Sequence, residues 1–403
     1  MRILYLHQFF ITRDAAGGTR SYELARHLVR SGHEVVILTA AAGRSPGRHS
    51  IEGIQVVEVG GASPDYAAAT AHAYGRRMAG FARFALGATA AALRAVRPDV
   101  VLATSPPLTI ALPGIAAAKR YRAPLVFEVR DLWPEAPIQM GALPNPLAQK
   151  AARALERAVY RAARHVVALS PGMRDGVIAA GVDPERVTLV PNASDLDLFS
   201  PGLDPGDLRE RLGLEDKFVA SYFGTMGEAN DLTQVVEAAS LLAQRGENGV
   251  AFVLQGDGKR RAAIEGEVRR RGLGNVVLLP AAGKASAARL AAASDACMTI
   301  FKDVPILATN SPNKLFDTFA AGRAAIVNTD GWQRELVERH GAGLYARAGD
   351  PGHLAEQVLW LRDHPEETAS YGRNARRLAE TQFDRRILAE RMRAVLEEAG
   401  SWR

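Results

Sequence analysis

Short apolar runs alternate with stretches of helical spacing along the whole chain, and the alternation runs through twice. In the first forty residues ILYLHQFF is apolar, RDAAGG breaks it, TRSYELARHLVRSG carries helical spacing, and HEVVILTA is a second apolar run. That is a βαβ unit. Parallel neighbours need a crossover, and a strand apolar on both faces is a strand covered on both faces. DVVLAT, PLVFEV, HVVALS and RVTLVP continue the series. After the Pro-, Gly- and Asp-rich SDLDLFSPGLDPGD it restarts with KFVASYFG, VAFVLQGDG, NVVLLP, ACMTIF, AAIVNT and AGLYA. The chain therefore reads as α/β throughout, with a first domain over 1–193, a linker over 194–215 and a second domain of the same class over 216–384. Its 403 residues exceed what one core usually supports. A charged amphipathic helix over 385–403 has no strand after it and is grouped with the first domain.

Composition narrows the class. Hydrophobic residues make up 47% and charged residues 23%, the balance of a globular chain. No stretch reaches the roughly 18 apolar residues that span a bilayer, and MRILYLHQFF reads as a strand, without the charged leader and cleavage site of a signal peptide. The single cysteine, Cys297, sits in the buried-strand pattern ASDACMTIF and reads as a core thiol. A cytoplasmic protein is expected. The net charge of +6 points to an anionic partner without saying which.

In parallel sheets ligands sit beyond the carboxyl ends of the strands, where loops feed helix N-termini. The stretch NSPNKLFDTFAAGRAAIVN meets that description. Backbone N–H groups of Asn313, Lys314 and Leu315 at a helix start, with Ser311 before them, would face an anion, and Lys314 adds a full charge. Asp317, a turn later, can accept hydrogen bonds from vicinal hydroxyls such as those of a ribose. The set suits a nucleoside diphosphate; the plainer alternative is a surface helix with a Lys–Asp pair at i,i+3. Gly256 and Gly258 with Lys259, and Gly224 with Gly227, end two further strands of the same edge. The first domain offers Gly17 and Gly18 after its first strand. Glu128, Arg130 and Asp131 in FEVRDLWPE end a buried run, where polar groups pair with each other or with a ligand. SPPL, from Ser105 to Leu108, borders the same edge and is read as part of an acceptor pocket.

Taken in order, these motifs resemble the retaining glycosyltransferases of family 4: the Gly-Gly pair, RDLW in mid-domain, PNASDLDLF before the linker, GDG, then SPNKLFDTFAAGR and GWQRELVERHGAGL. FEVRDLWPE and SPNKLFD are similar to the branch of fucosamine-type sugar transferases of surface-polysaccharide pathways. The resemblance implies the GT-B fold, two facing Rossmann-like domains, with donor bound mainly by the second, acceptor by the first, and neither metal nor cofactor. It implies transfer from a nucleotide sugar, with UDP as the expected nucleotide, to an acceptor hydroxyl with retained configuration. Asp317 stands where the family usually has a glutamate, and Thr309 where it has another eight residues earlier. Thr225 and Asn230 replace the arginine and lysine that clamp the diphosphate, so Lys259 and Lys314 are expected to supply that charge. Arg130 replaces a mid-domain histidine, and Glu128 and Asp131 become orienting groups beside it.

A lipid-linked saccharide acceptor would bring the protein to an anionic membrane surface. Lys150, Arg153, Arg157, Arg161 and Arg164 recur every three or four residues as a basic stripe on one helix, and Arg76, Arg77 and Arg83 lie among Met78, Phe81 and Phe84. A solvated helix face is the plainer alternative. A small soluble acceptor remains open, as does a sugar-nucleotide epimerase or hydrolase on the same frame. A dehydrogenase is disfavoured because RDAAGG is not Gly-x-Gly-x-x-Gly, and a nucleic-acid binder because no recognition motif accompanies the basic residues.

Overall fold

A computed structural model describes residues 1–13, 17–41, 45–61 and 73–401, with residues 73–78 described by backbone alone. The first sheet comprises β1 (Arg2–Leu6), β2 (Glu34–Ala40), β3 (Arg48–Ile51), β4 (Ile54–Val59), β5 (Val100–Ser105), β6 (Leu125–Val129), β7 (His165–Ala168) and β8 (Val187–Leu189), in the order β3-β4-β2-β1-β5-β6-β7-β8. The second comprises β9 (Phe218–Phe223), β10 (Val250–Gln255), β11 (Val276–Leu279), β12 (Ala296–Thr299), β13 (Ala324–Val327) and β14 (Gly343–Tyr345), in the order β11-β10-β9-β12-β13-β14. Both are doubly wound. Strand order reverses at β1 in one and at β9 in the other, which opens a crevice at the carboxyl end of each sheet.

The apolar runs become strands because burial on both faces leaves no polar position along them: every residue of β5, β10, β12 and β13 is buried. Sequence reading passed over the β3–β4 hairpin, whose strands pair antiparallel while the described neighbours elsewhere run parallel. Its turn places Glu52 at φ +47° and Gly53 at φ +84°, the double left-handed geometry of a primed hairpin turn without its usual Asn-Gly or Asp-Gly signal. Cys297 is buried in β12, and burial pushes its thiol up.

The last helix, Arg385–Ser401, lies against helix Arg20–Arg30 and under β5 and β6. Leu388, Met392 and Leu396 enter the buried cluster. Glu390 pairs with His27 at 2.7 Å, Glu397 with His33 at 3.1 Å, and Arg385 with Glu23 at 2.9 Å. One continuous cluster runs from Ile3 and Tyr5 through Phe199 to Phe223, Leu315 and Phe319, so the two sheets share a core beneath the crevice. The carboxyl ends of the sheets face each other. Ser311 Oγ accepts from the Asn192 backbone N–H at 3.1 Å, and Ser194 Oγ donates to the Phe316 carbonyl at 2.7 Å.

Candidate active site

Three loops of the second sheet converge at the crevice. Those after β9 and β10 are zipped backbone to backbone: Met226 N–H donates to the Asp257 carbonyl at 2.8 Å, and Arg260 N–H to the Met226 carbonyl at 2.9 Å. A Cβ on Gly256, at φ +155°, would stand 1.8 Å from the Gly224 carbonyl oxygen. Gly256 and Gly258 are thus required by loop packing, which sets where Thr225 and Asn230 stand. Helix Asn313–Ala320 supplies the third element, and no side chain caps its N-terminus.

Lys314 reaches back from that helix start. Its Nζ donates to the Tyr222 hydroxyl at 2.7 Å and to Asn230 Oδ1 at 3.0 Å, and lies 4.1 Å from the Tyr222 ring centre. All its polar partners are neutral, and burial pushes its ammonium down to about 7. The charge expected at position 230 is therefore delivered to Asn230 from a residue 84 positions away in sequence. Gly224 leaves room for this stem, since a Cβ there would sit 3.4 Å from Lys314 Cε.

Lys259 stands differently. It lies in a turn, two residues ahead of helix Arg261–Arg271 rather than opening it, and its Nζ pairs with Glu228 at 3.2 Å. Lys302 shares the same carboxylate at 3.4 Å. Glu228, Lys259 and Lys302 form a half-exposed trio at the rim, two ammonium groups sharing one carboxylate, so Lys259 is paired and solvated where Lys314 is not. Asp317 is 5% exposed, its Oδ2 lies 3.6 Å from Lys284 Nζ, and its Oδ1 has no partner among the described residues. Burial raises this carboxyl and Lys284 opposes the rise. A buried carboxylate oxygen without a partner is free to accept a hydrogen bond from outside the protein.

Two expectations at this helix need correction. The Leu315 N–H does not face the crevice; it donates to the Pro312 carbonyl at 3.1 Å, closing the first turn, and the side chain is wholly buried. Ser311 serves the junction to Asn192 described above, with its carbonyl accepting from Asn192 Nδ2 at 2.5 Å. Thr309 likewise packs on the other domain, within 2.9 Å of where a Cβ on Gly172 would stand.

On the first sheet, Glu128, Arg130 and Asp131 do not pair among themselves. Glu128 is fully buried, with Oε1 held by Arg20 at 2.8 and 3.0 Å and Oε2 by Thr104 at 2.9 Å. Arg20 also donates to the Val190 and Pro191 carbonyls. Glu128 is therefore a structural anchor, and the expectation that it orients substrate gives way. Asp131 is half-buried beside the crevice, its carboxyl pushed up to about 6 by burial against the opposing pull of Arg130. Arg130 projects toward the other domain: its Nη2 and Asn313 Nδ2 each lie 3.5 Å from where a Cβ on Gly18 would stand. A Cβ at Gly18 would be in ordinary contact with both side chains, so this glycine stands between the two domains at this edge. Asp14, Ala15 and Ala16 of the RDAAGG loop lie outside the described residues.

Sequence reasoning missed His7, at the end of β1, which meets Arg130 Nη1 at 3.2 Å. A histidine and a glutamine closing an otherwise apolar strand were the available signal. It also missed Tyr222, Lys284 and Arg20, whose partners lie far off in sequence.

Two doubly wound domains facing each other across a crevice, with uncompensated cations and a bare carboxylate on its walls, define a GT-B architecture. Comparison with known proteins agrees. Residues 16–193 match the family described as Glycosyl transferase 4-like domain, and residues 217–364 match Glycosyl transferases group 1. The chain belongs to the family 4 glycosyltransferases of GT-B fold. Over 84 residues it is 34% identical to the Escherichia coli UDP-Gal:alpha-D-GlcNAc-diphosphoundecaprenol alpha-1,3-galactosyltransferase, covering 19% of this chain and 21% of that one. Over 67 residues it is 37% identical to the alpha-D-kanosaminyltransferase of Streptomyces kanamyceticus, covering 17% of each. The matched stretches thus span about a fifth of these relatives. Among solved structures, Anabaena HepE in complex with UDP-glucose superposes with a TM-score of 0.74 over 99% of this chain and 100% of that one, at 19% identity. Sucrose-phosphate synthase from Thermosynechococcus elongatus does so at 0.76 over 98% of both chains, at 17% identity. Both show the same fold.

Proposed function

We propose that the protein transfers a hexose from a UDP-sugar to an acceptor hydroxyl with retained anomeric configuration. The observation that carries this reading is the pair Lys314 and Arg130. Among the described residues each hydrogen-bonds only to neutral groups and forms no ion pair, and they stand on opposite walls of one crevice, with the bare Asp317 oxygen one helical turn beyond Lys314. A diphosphate supplies the missing negative charge, and a ribose supplies hydroxyls to Asp317. Residues 216–384 then form the donor domain, and residues 1–193 with the last helix the acceptor domain.

The chemistry follows from that placement. The bond between C1 of the sugar and the phosphate oxygen breaks, and its electron pair leaves on the diphosphate. The acceptor hydroxyl oxygen bonds to C1 from the same face and its proton passes to the departing phosphate. A preorganised donor to such an oxyanion is worth about 3 kcal/mol of barrier. Closing the crevice around the donor would keep bulk water from C1.

For the acceptor we propose a lipid-linked saccharide, the class named for the E. coli relative. Its support is the surface of the first domain. Lys150, Arg157 and Arg161 are exposed on helix Pro146–Ala162, which also bears Leu147 at 78% exposure; Leu112 and Leu86 are exposed on the adjoining helices. Three details differ from expectation. Arg153 is paired with Glu135, Arg164 lies beyond the helix, and Phe81 and Phe84 are buried in the core instead of facing a membrane. The side chains of Arg76, Arg77 and Met78 lie outside the described ones. No described helix is long and apolar enough to cross a membrane.

Thermal denaturation with UDP-, GDP- and TDP-sugars tests the donor. A ligand at a hundred times its Kd adds about 2.7 kcal/mol, so a UDP-sugar is expected to raise Tm by several degrees. A shift with GDP- or TDP-sugars alone would overturn the nucleotide assignment.

A further inference from the structure

We infer that Arg130, oriented by His7, is the group through which the first domain engages the sugar-bearing phosphate of the donor. The inference rests on the reading of the crevice as a nucleotide-sugar site.

Three observations carry it. Arg130 Nη1 meets His7 Nε2 at 3.2 Å, and a guanidinium has no acceptor, so Nε2 accepts and the ring proton resides on Nδ1. Nδ1 faces Ser21 Oγ at 2.8 Å, which fixes the ring from behind. The ring is 98% buried, and burial together with the guanidinium holds it neutral, its pKa well below the ordinary range. Arg130 is thus aimed without being neutralised.

Its pairing is unlike that of the interior arginines around it. Arg20 lies on Glu128, Arg385 on Glu23 and Asp195, and Arg13 on Glu23. Among the described residues neither Asp131 nor any other carboxylate forms an ion pair with Arg130. A guanidinium held by a neutral ring in a crevice is one kept for an anion that arrives from outside.

Position says which anion. Nη2 stands 3.5 Å from the Cβ point of Gly18, as does Asn313 Nδ2, so Arg130 and the first residue of the helix whose second residue is Lys314 flank the same glycine. On this inference a diphosphate seated at that helix start turns its outer, sugar-bearing phosphate toward Arg130 on the first domain and its inner phosphate toward Lys314 on its own helix. Thr225 and Asn230 bring no charge to this edge; Lys314 supplies one of the two missing charges and Arg130 of the first domain the other. As the C1–O bond breaks, charge grows on the phosphate that Arg130 faces. His7 and Ser21 are positioning residues; Arg130 is the catalytic one.

The test uses the full-length protein, a UDP-sugar and an acceptor that the wild type turns over. Arg130→Met is expected to lower kcat about 100-fold, with Arg130→Lys between it and wild type. His7→Leu is expected to lower kcat about tenfold, and the double variant to fall no further than Arg130→Met alone. His7→Gln, whose amide can accept from Arg130 and donate to Ser21, should recover most of that loss. UDP titrated without acceptor should bind about tenfold more weakly to Arg130→Met. Unchanged kcat in Arg130→Met, or additive losses in the double variant, would overturn the inference. So would a loss confined to acceptor KM with UDP affinity intact, which moves the guanidinium onto an anion of the acceptor. If the wild type transfers sugar from no nucleotide donor, it is the reading of the crevice that fails; wild-type turnover with an indifferent Arg130 defeats this inference alone.

Discussion

Lys314 and Lys259 carry the same charge on the same sheet edge, and their surroundings separate them. Lys259 is half-exposed on Glu228, whereas Lys314 is part-buried on a phenol and an amide with its ammonium pushed down to about 7. Binding a diphosphate favours the charged form, so the pKa of Lys314 rises in the complex. Free protein loses the proton as pH climbs through about 7, while the complex keeps it. UDP affinity is therefore expected to fall with rising pH from about 7 toward 9, and binding at pH 8 to take up close to one proton. Calorimetry in two buffers of different ionisation enthalpy reads that uptake, which should vanish in Lys314→Met; no uptake in the wild type would contradict a depressed ammonium that is recharged by the phosphates. Lys314 and Asp317 were legible in sequence as a charged pair at a helix start. His7 and Tyr222 were not, since each acts on a residue more than ninety positions away, across a strand register that spacing does not reveal.

At the scale of elements, strands were the most legible, because a sheet covered on both faces writes unbroken apolar runs. The β3–β4 hairpin escaped notice, β3 being exposed and the turn unmarked. The glycines were legible as strand-end turns beside the donor site, but not why they are needed: a Cβ on Gly256 would strike the Gly224 carbonyl. Gly256→Ala is expected to unzip the β9 and β10 loops, costing more than about 3 kcal/mol and abolishing donor binding, as denaturant unfolding and UDP titration would show. Glu128→Gln breaks the buried pair with Arg20 while leaving the crevice cations in place. It is expected to cost about 3 kcal/mol of stability with UDP affinity unchanged in the folded fraction. A stable variant with weakened UDP binding would return Glu128 to the substrate site.

The whole molecule is joined by one buried cluster and by a last helix that crosses back over the first domain. The alternation of runs foretold the two sheets, but the return of Arg385–Ser401 depends on Glu23, His27 and His33, residues over 350 positions earlier. A shared core predicts a single calorimetric transition; two well-separated transitions would contradict it. The exposed leucines and basic residues of the first domain predict co-sedimentation with anionic vesicles at low salt, released at high salt and absent with neutral vesicles. No sedimentation under any of these conditions would favour a soluble acceptor.

The central claim is that the crevice holds a diphosphate on Lys314. Titration of UDP into the wild type, Lys314→Met and Lys259→Met at pH 7 tests it most directly. The account predicts at least about a tenfold loss of affinity for Lys314→Met, equivalent to about 1.4 kcal/mol, and less than about a threefold change for Lys259→Met. Equal affinity in the wild type and Lys314→Met would contradict it.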